Sequence, residues 1–352
     1  MVPGTPRLKS SSAFVVGGPN PPRAESPCVT MLGMRTFGGR RASACAPVLV
    51  TALLSAALLG GCSGAIDQAH SLQTRLNRID DVGSVSVTTP TPSNGAAIEV
   101  VYNGDPTARE LTRLIRQVDV LAVAENYPSY RLDLVPARND GDRLTVDDTF
   151  AASPAEETVL QNWLDTTSIL LGDLHYVFEP GSERISVDAG AGILHDVGEA
   201  SRIGYGTATT VWTFADGDDT FTVTGRVTSA DVVLFQDVQS GVSSDVLPAP
   251  AESWMLLRGA RQVLLDLVVG FPDGPVPPEQ VTVPRYGDAV GRLATAATTA
   301  VDTATVPVTI RLINPTADGQ DVFAVWHSDQ APARGRDPLF RGWDLWFRQL
   351  AG

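Results

Sequence analysis

Cysteine, lysine and long apolar runs are scarce in this chain. Three of its 352 residues are cysteine, Cys28, Cys45 and Cys62, and the single lysine is Lys9. Beyond position 62 there is no thiol pair, which excludes a disulfide framework and a thiolate metal site there, and leaves stability to buried cores. One stretch, from about Ala42 to Gly61, approaches the roughly 20 apolar residues that a membrane-spanning helix needs; no later window does. Chemical signatures are missing too. No G-x-S-x-G offers an activated serine, and no P-loop or G-x-G-x-x-G offers a phosphate cradle. The four histidines, His70, His175, His195 and His327, form neither H-x-x-x-H nor H-E-x-x-H.

What is present begins with an address. Arg35, Arg40 and Arg41 form a positive region, Val48 to Leu59 an apolar region, and Gly60-Gly61 a small-residue approach to Cys62. These are the three parts of a secretory signal. The tetrapeptide Leu59-Gly60-Gly61-Cys62 resembles the lipobox of bacterial lipoproteins. The resemblance covers the signal alone. It implies a diacylglyceryl group on the Cys62 sulfur, cleavage just before it, and a chain tethered to the extracytoplasmic face of the cell membrane. Buried acyl groups contribute about 0.8 kcal/mol per CH₂, so two chains hold firmly where one does not. An uncleaved span over Ala42–Gly61 is the competing reading. Arg40-Arg41 hints at twin-arginine export, but Ala42-Ser43-Ala44 is too small after the pair. The first 33 residues precede the signal, are rich in Pro, Gly and Ser, and read as a disordered or non-native extension, with Met31 or Met34 as the sensible start.

Residues 1–61 hold six basic side chains and one acidic, leaving 20 and 39 downstream, a formal net charge of −19 in which every basic residue is arginine. Such an acidic surface argues against binding nucleic acid or anionic lipid headgroups, both of which need clustered positive charge. It suits divalent cations or a basic partner, with simple solubility of an exported domain as the bland alternative.

From Ala65 onward, helical spacing and strand pairs alternate. Ile66, Ala69, Leu72, Leu76 and Ile79 recur at helical intervals; Val85, Val87 and Ile98, Val100, Tyr102 alternate as in strands. Asp105-Pro106 reads as the opening of a second helix, and Ser153-Pro154-Ala155-Glu156 as a capping box opening a third. Strand pairs follow at 132–146, 174–187 and 212–223. Helix-strand-strand at roughly forty-residue spacing resembles tandem ferredoxin-like modules. The expected fold class is therefore α+β, with modules at 62–150 and 151–242, after a signal at 34–61. A less regular α+β region follows at 243–352. Within it, Leu256 to Leu267 fits a helix by spacing, and Val263 to Val269 fits a buried strand equally well.

Candidate chemistry is sparse. His195 and Glu199 stand four apart on one helical face, with His175 as a possible neighbour, and these are the weak ligand candidates. The bland alternative is a half-exposed histidine on a short helix. Asp140-Gly141-Asp142 and Asp216-Gly217-Asp218-Asp219 look calcium-like but lack the twelve-residue loop of an EF-hand, and Asp-Gly is a favoured turn pair. The aromatic stripe Leu339, Trp343, Trp346, Phe347, Leu350 reads as a helix docked on its own core, with a partner surface as the alternative.

Taken together, the residues predict a non-enzymatic envelope lipoprotein with an interaction or scaffold role and no cofactor. Its expected partners are the membrane, through lipid on Cys62, and an envelope protein or cell-wall component. A solute-binding lipoprotein is the second reading, and an envelope hydrolase the third.

Overall fold

The chain divides into units 1–53 and 54–352. The structure, a computed structural model, describes residues 64–91, 95–150, 153–190, 192–316, 319–329 and 337–351, all in the second unit. The lipobox-like Cys62, the signal and the 1–33 extension lie outside the described residues.

A helix over 64–76 (α1) leads into the hairpin β1 (Val82–Val87) and β2 (Ala96–Tyr102). The same step then repeats. Helix α2 (Ala108–Ala124) precedes β3 (Tyr130–Pro136) and β4 (Arg143–Asp147). Helix α3 (Pro154–Ile169) precedes β5 (Asp173–Glu179) and β6 (Ser182–Asp188), and α4 (Ile193–Ile203) precedes β7 (Thr210–Asp216) and β8 (Asp219–Thr224). Helix α5 (Ser229–Val242) precedes β9 (Ala251–Arg258) and β10 (Val263–Val269), and α6 (Val283–Ala300) precedes β11 (Val308–Thr316) and β12 (Gly319–His327). Helix α7 (Arg341–Ala351) closes the described chain.

All twelve strands belong to one sheet, in sequence order from β1 to β12. Pairing is antiparallel within each hairpin and parallel between hairpins. At about 4.8 Å per strand the sheet runs roughly 50 Å across. Consecutive helices from α2 to α7 pack on each other and form one layer. The strands that precede the crossovers alternate in direction, β2, β6 and β10 one way and β4 and β8 the other. In a sheet that advances one way, a single helix layer therefore requires crossovers of alternating hand, against the usual right-handed preference.

This corrects the expectation of tandem ferredoxin-like modules. Such a module splits its parallel pairs and fills the gap with a strand from its other half. Here β2 and β3 are direct neighbours, with Ile98 opposite Leu132 and Val100 opposite Leu134, so no gap exists. The sheet also continues where modules were expected to part: Leu144 pairs with Tyr176 and Phe221 with Leu256. The architecture is α/β, one mixed sheet under one helix layer.

Local sequence explains the individual elements. Helix α3 starts at the expected capping box, with the Glu156 N–H donating to Ser153 Oγ at 3.4 Å and the Ser153 N–H to Glu156 Oε2 at 2.7 Å. Helix α2 starts two residues later than Asp105-Pro106 suggests, because Thr107 and Glu110 form a capping box of their own. Each such cap contributes about 1 kcal/mol. Leu256 to Leu267 is not helical but the hairpin β9–β10.

The core fills the space between helices and sheet. One block is a chain of rings, Trp212, Phe214, Phe221, Phe235 and Trp254, with successive centroids 5.5–6.3 Å apart, tying β7, β8 and β9 to α5. Of the aromatic stripe, Trp343 and Phe347 are buried and Trp346 half-buried while Leu339 and Leu350 are exposed, and Trp343 Nε1 donates to the Val281 carbonyl at 2.8 Å.

Candidate functional site

A concavity of about 610 Å³ lies at the carboxyl end of β2. Three segments frame it: the turn after α1 (Arg78 to Asp81), the β2–α2 loop (Asn103 to Pro106), and the first turns of α2 up to Gln117. The Asn103 N–H donates to the Asp81 carbonyl at 2.8 Å and joins the first two segments. Gly83 makes this approach possible, since a Cβ there would stand 2.9 Å from Asn103 Oδ1. Asp105 is held by Arg138 at 2.6 Å.

Aliphatic side chains, Ile79, Leu111 and Leu114, line the inside, with Arg78, Arg113, Asp80 and Asp81 around them. Tyr102 is buried there, and burial raises its phenol pKa, so the hydroxyl stays protonated near neutrality. At the N-terminus of α2 the capping box occupies two N–H groups, that of Glu110 through Thr107 Oγ1 and that of Thr107 through Glu110 Oε2. That backbone bond from Thr107 is also what holds the Glu110 carboxyl below its ordinary pKa. No serine, cysteine or histidine lines the cleft. Its chemistry is that of holding a small molecule of mixed polarity.

The weak ligand candidates are not brought together there or elsewhere. His175 stands on the sheet face opposite the helices, alternating with buried Leu174 and Tyr176. His195 is exposed on α4, and Glu199 is paired with Arg202. The residue between them that matters is Asp196, fully buried, whose carboxylate accepts the Leu171 and Gly172 N–H groups at 3.0 and 3.2 Å. Gly172 itself allows no side chain, because a Cβ would sit 2.4 Å from the Asp188 carbonyl oxygen. Among the described residues no group of three or more His, Cys, Asp or Glu side chains is placed to hold a metal ion.

Both Asp-Gly-Asp segments are turns, and in each the last aspartate folds inward. Asp142 accepts the Leu174 N–H at 2.9 Å, and Asp219 accepts the Trp254 N–H at 3.0 Å. Each thus stitches the end of one hairpin to the first strand of the next. Burial pushes both carboxyl pKa values up. Their contribution to stability is therefore complete below the unfolded carboxyl pKa and is lost as pH rises through the raised folded value. Asp142→Ala is expected to cost about 1–3 kcal/mol, the usual penalty for orphaning a buried N–H. Asp142→Asn keeps the acceptor without the charge. Its denaturation midpoint should match the native one near pH 3.5 and exceed it at pH 7.

The helix-free sheet face carries two ion clusters, neither anticipated from sequence. On β3, Asp133 is buried beneath Arg131 and Arg143 at 3.0 and 3.4 Å and accepts from Thr145 Oγ1 at 2.6 Å; Arg143 also reaches Glu99 at 2.9 Å. On β10, Asp266 is buried and binds Arg311 through both carboxylate oxygens. Each aspartate sits in a Leu-Asp-Leu-Val run, 132–135 and 265–268, and that repeat was the available signal. Over β7 to β9 and at Leu264 of β10 the face is uncharged, built from Val211, Thr213, Thr222, Thr224, Leu257 and Leu264, whereas β5 and β6 carry Arg184 paired with Glu179 at 2.9 Å. Compared with known proteins, the chain matches no protein-family model, no curated protein and no solved structure.

Proposed function

We propose that this chain is an envelope lipoprotein, held to the outer face of the cell membrane by lipid on Cys62, with an interaction or scaffold role rather than catalysis. The observation that carries the reading is Leu59-Gly60-Gly61-Cys62 at the end of an apolar run behind three arginines. No described helix is long and apolar enough to cross a membrane. The wide sheet face without helices supports an interaction role, because it offers a protein or cell-wall partner an extended surface with an uncharged stretch over β7 to β9. Membrane fractionation of the native protein against Cys62→Ala tests the anchor. The native protein is expected to be shorter than its precursor and membrane-bound, and the variant to accumulate uncleaved. Equal masses for both would refute the reading.

The cleft favours a second reading, a lipoprotein that binds a small solute. Arg78 and Arg113 stand beside an aliphatic floor together with Asp80, Asp81, Asp105 and Glu110, a lining that suits a zwitterionic ligand with an apolar body. A metabolite panel screened by thermal melting is expected, on this reading, to contain a stabilising ligand whose shift disappears in Arg113→Ala. A panel without any shift removes it.

A further inference from the structure

We propose that the end of the molecule formed by the start of α1 and the end of α2 rests against the bilayer, so that the cleft opens away from the membrane. This rests on the lipid-anchor reading. One residue, Ser63, separates Cys62 from the start of α1. A residue spans at most about 3.6 Å, so the tether reaches roughly 7 Å. The headgroup layer on one side of a bilayer is roughly 5–8 Å deep. A tether no longer than the headgroups are deep holds the domain in contact with them.

Strand direction decides which end that is. Helix α1 runs from the tether to the cleft, whose wall begins at Arg78, and its 13 residues span about 20 Å. Helix α2 runs back the other way, from the cleft at Glu110 to the near end at Ala124. At the near end three aliphatic side chains are exposed: Ile66 on α1 (55%), Val120 (65%) and Val123 (69%) on α2. Exposed aliphatic groups at the tethered end suit contact with a bilayer surface. Ile169, Leu171 and Val246 are also exposed, but at the cleft end, beyond the tether's reach. The cleft end is also crowded with exposed carboxylates, Asp80, Asp81, Asp105, Asp140, Asp216 and Asp218, which anionic headgroups would repel. The near end mixes signs, with Arg184, Arg202 and Arg226 alongside Glu125 and Asp148, and with exposed Asp67 and Asp119 next to Ile66 and Val120.

Strand β3 serves as a ruler, because exposed Ser129 precedes its start at the near end and exposed Ala137 follows its end beside the cleft. Its seven residues span about 23 Å. On the anchor reading Cys28 and Cys45 leave with the signal and the Cys62 sulfur is acylated, so Ser129→Cys and Ala137→Cys each add the one free thiol. Each full-length variant is expressed, processed, labelled with a fluorophore and reconstituted into phosphatidylcholine–phosphatidylglycerol vesicles carrying a headgroup quencher. Quenching at position 129 is expected to exceed that at 137 several-fold, and Val120→Asp with Val123→Asp should reduce the difference. Equal quenching, or stronger quenching at 137, in protein that floats with the vesicles overturns the orientation alone. Protein that fails to float overturns the anchor and the orientation together.

Discussion

Asp231→Ala is expected to destabilise the fold by about 3–5 kcal/mol, the range for removing one partner of a buried ion pair. Asp231 is 4% exposed and does two jobs at once. At the start of α5 it accepts the Thr228 N–H at 2.8 Å and the Thr228 hydroxyl at 2.7 Å. At the end of β9 it accepts Nε and a terminal nitrogen of Arg258 at 2.7 and 2.9 Å. Arg258 in turn donates to the carbonyls of Thr224 and Arg226, both at 2.7 Å, so the pair binds β8, α5 and β9 at one point. Alanine would leave a largely buried guanidinium without its counter-charge and α5 without its cap. Asp231→Asn retains an acceptor for Thr228 and loses only the charge, so it should fall between native and alanine. Urea denaturation of the three proteins measures this; an alanine variant within 1 kcal/mol of native would mean that solvent reaches Arg258 freely.

The second large effect is expected at Trp343. Phe or Trp to Ala in a core costs about 3–5 kcal/mol, and Trp343 is 1% exposed with its ring 5.0 Å from Phe323 and 4.9 Å from Trp346. Alanine also orphans the Val281 carbonyl. More follows from its neighbour Asp344, whose carboxylate accepts the Val325 N–H at 2.9 Å on the outermost strand. Releasing α7 therefore uncovers the backbone of β12, and bare strand edges recruit other strands. Trp343→Ala should lower the melting temperature and also form concentration-dependent aggregates in sedimentation velocity. Trp343→Phe, which keeps the bulk, should lose stability without aggregating. Aggregation in both variants would show that α7 does not protect the edge.

Helices with a well-spaced apolar face and hairpins with a turn signal were legible in the sequence. The capping box at Ser153 and the alternation of Ile98, Val100 and Tyr102 state their structures locally. Helix α5 was not, because Val232, Val233, Leu234 and Phe235 run consecutively and blur the helical period. The error in the fold has a different origin. Whether Ile98 faces Leu132 directly or across an intervening strand depends on a step of one or two strand widths, and α2 spans either. No residue within β2 or β3 encodes that choice. The site shows the same division. His195 and Glu199 drew notice as reactive residue types at helical spacing, whereas buried Asp196 between them holds the backbone. The cleft went unseen because it joins residues 78–81 to 103–117, a juxtaposition that exists only once the chain has folded.

A sheet that grows in one direction, each hairpin gripping only the one before and the one after, contains no contact that fixes how many hairpins there are. Its stability behaves as a sum of units and the seams between them, as in linear repeat arrays. Strand direction reverses at every helix-hairpin step, so losing or duplicating two adjacent steps in the middle would shift everything beyond them sideways by four strand widths with every strand direction kept. Length along the sheet is thus a property that inheritance can adjust in pairs of steps, without redesigning the first unit or the capped last one.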